Sequence, residues 1–212
     1  RRADMASRNE FAQVYWIGGG SGAGKSTIAR RLATDMKLHL ISTDDAMQEH
    51  ARRSTPDDCP LLHQFMKMNM DERWLTRSPT IMLDTFHWFC GEGFGMILED
   101  LRAHLNDRGV IVEGFRLLPR LVEPIAAPGQ AVWLLPTPTF RQRVFKTRNL
   151  QAGFLGQTSD PERATSNLLA RDEMFTDRLR AETSELGLES IEVNERVAAE
   201  DLVRRVRRAF SR

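Results

Sequence analysis

The chain contains 212 residues, of which 41% are hydrophobic and 28% are charged. These proportions are ordinary for a soluble globular protein, and the length suffices for one large domain with a buried core. The formal net charge of +1 gives no reason to expect a nucleic-acid or membrane partner. Cys59 and Cys90 fit neither a metal-ligand spacing nor a disulfide framework, which favours a reducing cytosol. No apolar run approaches the roughly 20 residues that cross a bilayer.

The first predicted strand leads directly into a glycine-rich segment. Residues 14–17 read Val-Tyr-Trp-Ile, a run of the β-branched and aromatic side chains that favour strands. Residues 19–27 then match the spacing G-x-x-x-x-G-K-[ST]. Ile28 and Leu32 follow four apart, on one face of a helix predicted over 24–36. A Gly/Ser linker that matches by accident would not stand between a strand and an amphipathic helix, so the pattern indicates a P-loop.

The chemistry of a P-loop predicts a polyphosphate ligand. Its glycines let backbone N–H groups approach phosphate oxygens closely, and the helix that follows adds the positive end of its dipole. Lys25 is expected to reach the β- and γ-phosphates, and the Ser26 hydroxyl to ligate Mg²⁺. The residues predicted to bind ATP in this way are Gly20, Ser21, Gly22, Ala23, Gly24, Lys25, Ser26 and Thr27.

Two adjacent carboxylates follow the second predicted strand, residues 38–42. Asp44 and Asp45 come directly after Thr43. At this strand end a carboxylate would lie beside the γ-phosphate, where it accepts a proton from an attacking hydroxyl or holds a Mg²⁺-bound water. Alternatively, Thr43 or Asp44 caps a helix that begins near Ala46. The two roles are compatible.

The long segment 45–108 is predicted to be a helical insertion that helps to form a substrate pocket. It is too long for a simple crossover and too rich in Met, Trp and Phe to be disordered. Asp84 ends a short apolar run within it and is a second candidate for the acidic role. Residues 86–94 are aromatic and glycine-rich, which suits a pocket for an organic acceptor with His87 or Glu92 as orienting groups. The alternative for this stretch is core packing.

The third predicted strand, 109–113, ends on Glu113 and is followed by Gly114. Its β-branched run is typical of a buried parallel strand. A carboxylate there is costly to bury without a cation or donors, and Mg²⁺ with the P-loop hydroxyl would supply both. Arg116 is a candidate partner for an anionic substrate group, since guanidinium binds carboxylate or phosphate through two hydrogen bonds. The alternative is an ordinary surface arginine.

The remaining elements complete an α/β pattern. Further strands are predicted at 131–135 and 190–193, and further helices at 94–107, 139–149, 161–186 and 197–210. This alternation predicts one domain over 1–212 with a parallel five-stranded sheet and helices on both faces, the three-layer α/β/α architecture of P-loop NTPases. Right-handed crossovers would place all strand C-termini at one edge, where the ligand belongs.

Arginines accumulate after the fourth predicted strand. The turn-rich stretch 151–159 among them is suited to closing over a ligand, which predicts a lid over about 148–172. The alternative is a solvated basic helix face with nearby acidic partners. The arginines of this region include Arg141, Arg143, Arg148, Arg163, Arg171 and Arg178.

Together these motifs resemble the P-loop small-molecule kinases. The glycine loop, an acidic pair after strand two, an acid–Gly pair after strand three and an arginine-rich region after strand four all recur there. The resemblance covers most of residues 14–210 and is closest to shikimate-kinase-like, chloramphenicol-phosphotransferase-like and 2-phosphoglycerate-kinase-like proteins. These have the fold type of nucleoside-monophosphate kinases. The Asn-Lys-x-Asp motif of regulatory GTPases is absent.

The resemblance implies roles for individual residues. It makes Asp44 the base that activates the acceptor, and Glu113 a group that contacts the metal's water shell or the substrate. Glu-Gly at this position departs from the Asp-Gly that is commoner in nucleoside-monophosphate kinases. The resemblance also places Arg143 where an arginine stacks on adenine. It assigns Arg148 and Arg171 to a lid that neutralises the transferring phosphoryl group.

The sequence therefore predicts an ATP- and Mg²⁺-dependent kinase that phosphorylates a hydroxyl of a sugar, amino sugar, hydroxy acid or antibiotic. Two alternatives stay open: a nucleoside or nucleotide kinase, and a nucleotide-gated regulatory module without fast phosphoryl transfer. The residues expected to contact the acceptor are Asp44, Asp45, Asp84, His87, Glu92, Glu113 and Arg116.

Overall fold

The computed structural model describes residues 8–105, 108–147 and 153–211. Strands and helices alternate along these ranges, and a short 3₁₀ helix covers Phe154–Gln157. The strands are β1 (Val14–Gly19), β2 (His39–Ser42), β3 (Val110–Glu113), β4 (Ala131–Pro136) and β5 (Ser190–Val193). The helices are α1 (Lys25–Met36), α2 (Met47–Arg53), α3 (Pro60–Lys67), α4 (Met70–Trp74), α5 (Pro79–Thr85), α6 (Phe94–Arg102), α7 (Pro119–Val122), α8 (Pro138–Thr147), α9 (Pro161–Glu185) and α10 (Ala199–Ala209).

The five strands form one parallel sheet in the order β2-β3-β1-β4-β5, which confirms the predicted fold class. The first strand of the chain therefore lies at the centre of the sheet, between β3 and β4. In such a sheet a crevice opens at the carboxyl ends of the strands, on either side of the central strand. The chain places its glycine loop at this point.

Side chains alternate between the two faces of the sheet, and each face carries its own core. Trp16 of β1 packs with Leu101 of α6 and Leu179 of α9 on one face. Ile17, the next residue, packs with Leu32 of α1 and Val206 of α10 on the other face. Helices on both faces explain why the central strands are apolar throughout.

Between β2 and β3 the chain forms the helices α2 to α6. Polar caps start two of them: Asn69 and Glu72 form a capping box at α4, and the Ser78 hydroxyl accepts a bond from the Ile81 amide at α5. The run that ends at Asp84 thus lies in a helix, although it imitates a strand end in sequence. None of the helices in the described ranges is long and apolar enough to span a membrane.

Aromatic stacking joins this helical segment to α9. The rings of Phe89 and Phe175 lie parallel with their centroids 3.7 Å apart, and both side chains are buried. Because α9 also packs against β4, this contact ties the helices between β2 and β3 to the sheet.

Replacing Phe175 with alanine should remove this attachment. We expect Phe175→Ala to lower the free energy of unfolding by about 3–5 kcal/mol, because it leaves a cavity between α9 and the helical segment. Urea denaturation measures this change. The matched control is Leu186→Ala, whose side chain is 40% exposed, with an expected loss below about 1 kcal/mol. Equal losses in the two variants would contradict the packing.

Candidate active site

The register of the sheet brings three chain segments together around Glu113. Glu113 is aligned with Ile17 of β1 on one side and with Ser42 of β2 on the other. Its carbonyl oxygen accepts a hydrogen bond of 2.9 Å from the Thr43 amide. The Gly114 amide donates a bond of 3.1 Å to the carbonyl of Ile17. The segments that leave β1, β2 and β3 therefore begin side by side.

The glycine loop after β1 has the geometry of a P-loop. Residues 20–24 connect β1 to α1, and Gly24 precedes the helix with a φ of 81°, which glycine adopts without strain. The Lys25 side chain is buried, and its Nζ donates a 2.8 Å bond to the Gly20 carbonyl. Lys25, Ser26 and Thr27 form the first turn of α1. The ammonium and the positive end of the α1 dipole together form a site for an anion.

Ser26 and Glu113 supply oxygen atoms suited to a magnesium ion. The Ser26 hydroxyl donates a 2.9 Å bond to Glu113 Oε1. The other carboxylate oxygen, Oε2, is buried and has no hydrogen-bond partner among the described residues. Those residues contain no group of three or more His, Cys, Asp or Glu suited to a metal. Mg²⁺ in phosphoryl-transfer sites takes only one or two carboxylates, together with phosphate oxygens and waters, so the pair fits it.

Asp44 is the partly buried member of the acidic pair, whereas Asp45 is exposed. Burial raises the pKa of the Asp44 carboxyl above its usual value. The charge of Lys25 opposes this shift, and the charge of Glu113 adds to it. A carboxylate whose pKa is raised accepts a proton more readily than one with an ordinary pKa. The environment therefore favours Asp44 over Asp45 as a base.

Glycine is required at position 114 because the ends of β2 and β3 approach each other closely there. A Cβ atom built on Gly114 would lie 1.7 Å from Thr43 Oγ1, and the φ of Gly114 is 150°. Any side chain at this position would push Thr43 away and displace the adjacent Asp44. The acid–Gly pair thus has two separable functions: Glu113 supplies the carboxylate and Gly114 allows the approach.

Arg116 lies beneath the β2 end and not on the surface. Its side chain is buried, and its Nη1 donates a 3.2 Å bond to the Thr43 carbonyl. The guanidinium lies 3.9 Å from the centre of the Trp88 ring, a cation–π contact. Burial lowers the pKa of Arg116 to about 10, and the nearby Asp44 opposes this shift. Arg116 therefore supports the segment that carries Asp44, and the surface alternative is excluded.

A cavity of about 560 Å³ extends from the P-loop into the helical segment. Ser21 of the P-loop lines one end, and Met47 and Gln48 of α2 lie along it. Most of the wall is aromatic, contributed mainly by Phe65, Trp74, Phe86, Trp88, Phe89 and Phe115. The volume lies within the range of about 300–1,000 Å³ that is usual for small-molecule pockets.

His87 lies in this wall as a buried, neutral imidazole. Its ring contacts the rings of Phe65, Phe86 and Trp88. Burial lowers the pKa of His87 to about 3, and the positive charges of neighbouring arginines add to the shift. Its Nδ1 is buried without a hydrogen-bond partner among the described residues. The neutral His87 ring therefore forms part of the largely aromatic wall.

The predicted adenine-stacking arginine, Arg143, and the predicted lid arginines, Arg148 and Arg171, differ in their surroundings. Arg171 lines the cavity, donates to Asp172 Oδ1 at 2.9 and 2.6 Å, and lies 4.5 Å from the Phe86 ring centre. Arg143 is exposed and lies over Phe140 of its own helix, at 5.9 Å. Arg148 lies outside the described residues. Of the two that the structure describes, Arg171 is the one that lines the cavity.

Two predicted substrate contacts have structural partners instead. Glu92 accepts hydrogen bonds from the amides of Leu61 and Leu62, at 2.8 and 2.9 Å, and so caps the start of α3. Asp84 is exposed and forms a 2.9 Å ion pair with Arg178. Neither residue is among those that line the cavity. The function proposed below therefore leaves both out.

Sequence reasoning missed several residues of this region. Arg73, Trp74 and Asp172 line the cavity, and the buried Arg141 donates to the Leu169 carbonyl of α9. Arg141 was recognised only as one of several arginines. An acidic or aromatic residue next to an arginine can indicate a binding site in the sequence. Residues 73, 74 and 172, however, come together in one cavity only in the folded chain.

A loop of this form, between the central strand of a parallel sheet and a helix, defines a P-loop nucleotide-binding protein. Residues 21–58 match the family model described as shikimate kinase. The chain is 32% identical over 127 residues to an adenylate kinase of Deinococcus deserti. The aligned region covers 57% of this chain and 55% of that relative. It thus spans about half the length of this curated relative. The chain is thus similar in part to P-loop kinases, over the segments that these two matches cover.

Solved structures of similar proteins include a gluconokinase from Sinorhizobium meliloti, with 15% identity, a TM-score of 0.47 and coverage of 99% of this chain and 94% of that one. A shikimate kinase from Acinetobacter baumannii in complex with shikimate has 17% identity, a TM-score of 0.47 and coverage of 95% and 94%. Both TM-scores are below 0.5, so the overall similarity to these two structures is low.

The buried imidazole makes stability depend on pH. Burial lowers the pKa of His87 from its ordinary 6.5 to about 3 in the folded protein. Between these values the unfolded chain binds a proton that the folded protein does not, so stability decreases as the pH falls through this window. When the pH falls from 6.5 to 5, we expect the free energy of unfolding to decrease in the wild type by roughly 1.5 kcal/mol more than it does in His87→Phe.

Urea denaturation at the two pH values measures this difference. The control is Leu186→Ala, which removes no titratable group from a side chain that is 40% exposed and should show the wild-type pH dependence. If His87→Phe loses as much stability as the wild type over this interval, the imidazole is not held neutral by its surroundings.

Proposed function

We propose that this protein transfers the γ-phosphate of ATP to a hydroxyl group of a small molecule, in a Mg²⁺-dependent reaction. The observation that carries the proposal is the junction at Glu113. There the P-loop Ser26 bonds to a buried carboxylate, and the partly buried Asp44 follows the adjacent strand. These contacts support an anion site, oxygen ligands for a metal and a proton acceptor close to one another, and Ser21 of the same P-loop lines the cavity.

The P-loop would hold the phosphates of ATP. Lys25 is available to turn its ammonium from the Gly20 carbonyl to the β- and γ-phosphate oxygens, and the amides at the start of α1 would bind the same oxygens. Ser26 and Glu113 would hold Mg²⁺, which supplies charge neutralisation for the phosphate oxygens when bound. Phosphoryl transfer is catalysed mainly by positioning and by such electrostatic stabilisation.

Asp44 would accept the proton of the attacking hydroxyl. The acceptor oxygen then forms a bond to the γ-phosphorus, the bond from that phosphorus to the bridging oxygen of ADP breaks, and the proton stays on the Asp44 carboxyl. Arg116 fixes the Thr43 carbonyl and Gly114 leaves room for Thr43, so both residues set the position of Asp44. Arg171, and Arg148 outside the described residues, remain our candidates for stabilising the transferring group.

A nucleotide acceptor is the second candidate, because the curated relative is an adenylate kinase. A nucleoside monophosphate would stack its base on the aromatic wall of the cavity. Its phosphate would then need a cation besides Arg171, which pairs with Asp172 and is already our candidate for stabilising the transferring group. We therefore rank this candidate below an alcohol acceptor.

The test is an assay that couples ADP release to a colour change, run with MgATP across alcohols, sugars, hydroxy acids, nucleosides and AMP. The proposal expects ADP release that rises only when an alcohol acceptor is present, and it expects Lys25→Ala to abolish that release. Stimulation by AMP alone would favour the second candidate. Nucleotide binding without stimulation by any acceptor would contradict both.

The adjacent aspartates provide a matched pair of variants. We expect Asp44→Asn to lower kcat at least about 100-fold with little change in the KM for ATP, because it removes only the proton acceptor. Asp45→Asn, at the exposed neighbour, should lower kcat less than about threefold. Steady-state kinetics at saturating acceptor measures both. Equal effects of the two substitutions would remove Asp44 from the base role.

A further inference from the structure

The charged side chains in the wall of the cavity have partners within the protein, and the uncharged polar side chains of the lining are Ser21, Gln48 and His87. Arg171 and Asp172 bond to each other. Arg73 donates from Nε and Nη2 to the carbonyl oxygens of Phe65 and Met66, at 3.0 and 2.9 Å. His87 Nδ1 is the buried polar atom of the wall that has no partner among the described residues. The charged side chains of the wall therefore mainly form hydrogen bonds within the protein.

From this wall we infer that the acceptor is an uncharged alcohol with a flat, aromatic or similarly apolar body, and this inference rests on the proposed function. A sugar or a hydroxy acid would exchange its hydration for contacts with phenyl and indole rings. Each hydroxyl or carboxylate left unpaired in such a site costs free energy. A flat apolar body instead gains area burial and offset or edge-to-face ring contacts.

Exposed apolar side chains support the same ligand chemistry. The large apolar side chains exposed in the described part of the chain include Met66 and Phe154, which are 41% and 39% exposed. Both line the cavity. An apolar ligand would cover these side chains as it enters the cavity, and this would account for their exposure to solvent.

The orientation of the acceptor follows from the two ends of the cavity. Ser21 belongs to the P-loop, and Met47 belongs to the helix that begins three residues after Asp44. The hydroxyl would therefore lie at this end, next to the phosphates and the proposed base. The apolar body would extend between Phe86 and Trp88, where the His87 side chain, which lines the cavity, can bond to one polar substituent. One hydrogen bond in an apolar pocket is enough to fix orientation.

A matched pair of probes tests the inference without ATP. The first is a secondary propanol that carries a naphthyl group, and the second is naphthyllactate, in which a carboxylate replaces the methyl group. Titration calorimetry should show that the alcohol binds at least roughly tenfold more tightly than the acid, with a negative heat-capacity change. Glucose should give no measurable binding. Tighter binding of naphthyllactate or glucose would overturn the inference.

Variants at exposed positions tie the binding to this cavity with little effect on folding. We expect Met66→Gln and Phe154→Gln each to weaken binding of the naphthyl alcohol roughly fivefold. Ile81→Gln and Leu186→Gln change equally exposed apolar residues that do not line the cavity, and they should leave the affinity unchanged. Equal effects in both sets would also overturn the inference.

The two proposals fail in different ways. If the naphthyl alcohol binds as expected but no alcohol stimulates ADP release, the cavity inference stands as a ligand preference and the kinase function is wrong. If sugars or hydroxy acids are phosphorylated and apolar alcohols are not, the kinase function stands and the cavity inference is wrong.

Discussion

The parallel register that aligns Glu113 with both Ile17 and Ser42 is the constraint on which the site depends. It sets the segments after three strands side by side: the P-loop after β1, Asp44 after β2, and Gly114 with Arg116 after β3. A slip of one residue in β3 would turn Glu113 to the opposite face of the sheet and separate its carboxylate from Ser26. The strongly apolar strands on either side make this register costly to change, so core packing and site geometry are fixed together.

The helical segment between β2 and β3 adds the part of the protein that differs from a bare nucleotide site. Its aromatic side chains form the cavity wall, and stacking of Phe89 on Phe175 holds them against α9. Arg116 links the two regions, because it contacts the Thr43 carbonyl on one side and the Trp88 ring on the other. A ligand that moves Trp88 would therefore act on the segment that carries Asp44, through a single buried guanidinium.

Local sequence signals predicted the strands, the P-loop and the order of the helices well, because each depends on neighbouring residues. The Glu113–Gly114 pair was also recognisable, since a carboxylate after a β-branched run needs a reason to be buried. Long-range contacts were not recognisable. The sequence predicts Glu92 to be a substrate contact, whereas its carboxylate caps α3, which starts 32 residues earlier at Pro60. Asp84 ends a run that imitates a strand in sequence, but the cap at Ser78 and the proline after it start a helix there.

The central claim is that Glu113 supports the metal that accompanies ATP at the P-loop. Calorimetric titration of a non-hydrolysable ATP analogue, with and without Mg²⁺, measures this directly in the wild type and in Glu113→Gln, which keeps an acceptor for Ser26. We expect Glu113→Gln to lower the affinity for the analogue in the presence of Mg²⁺ roughly tenfold or more, which removes most of the affinity gained from Mg²⁺. The affinity without Mg²⁺ should be nearly unchanged. An equal gain from Mg²⁺ in the two proteins would contradict it.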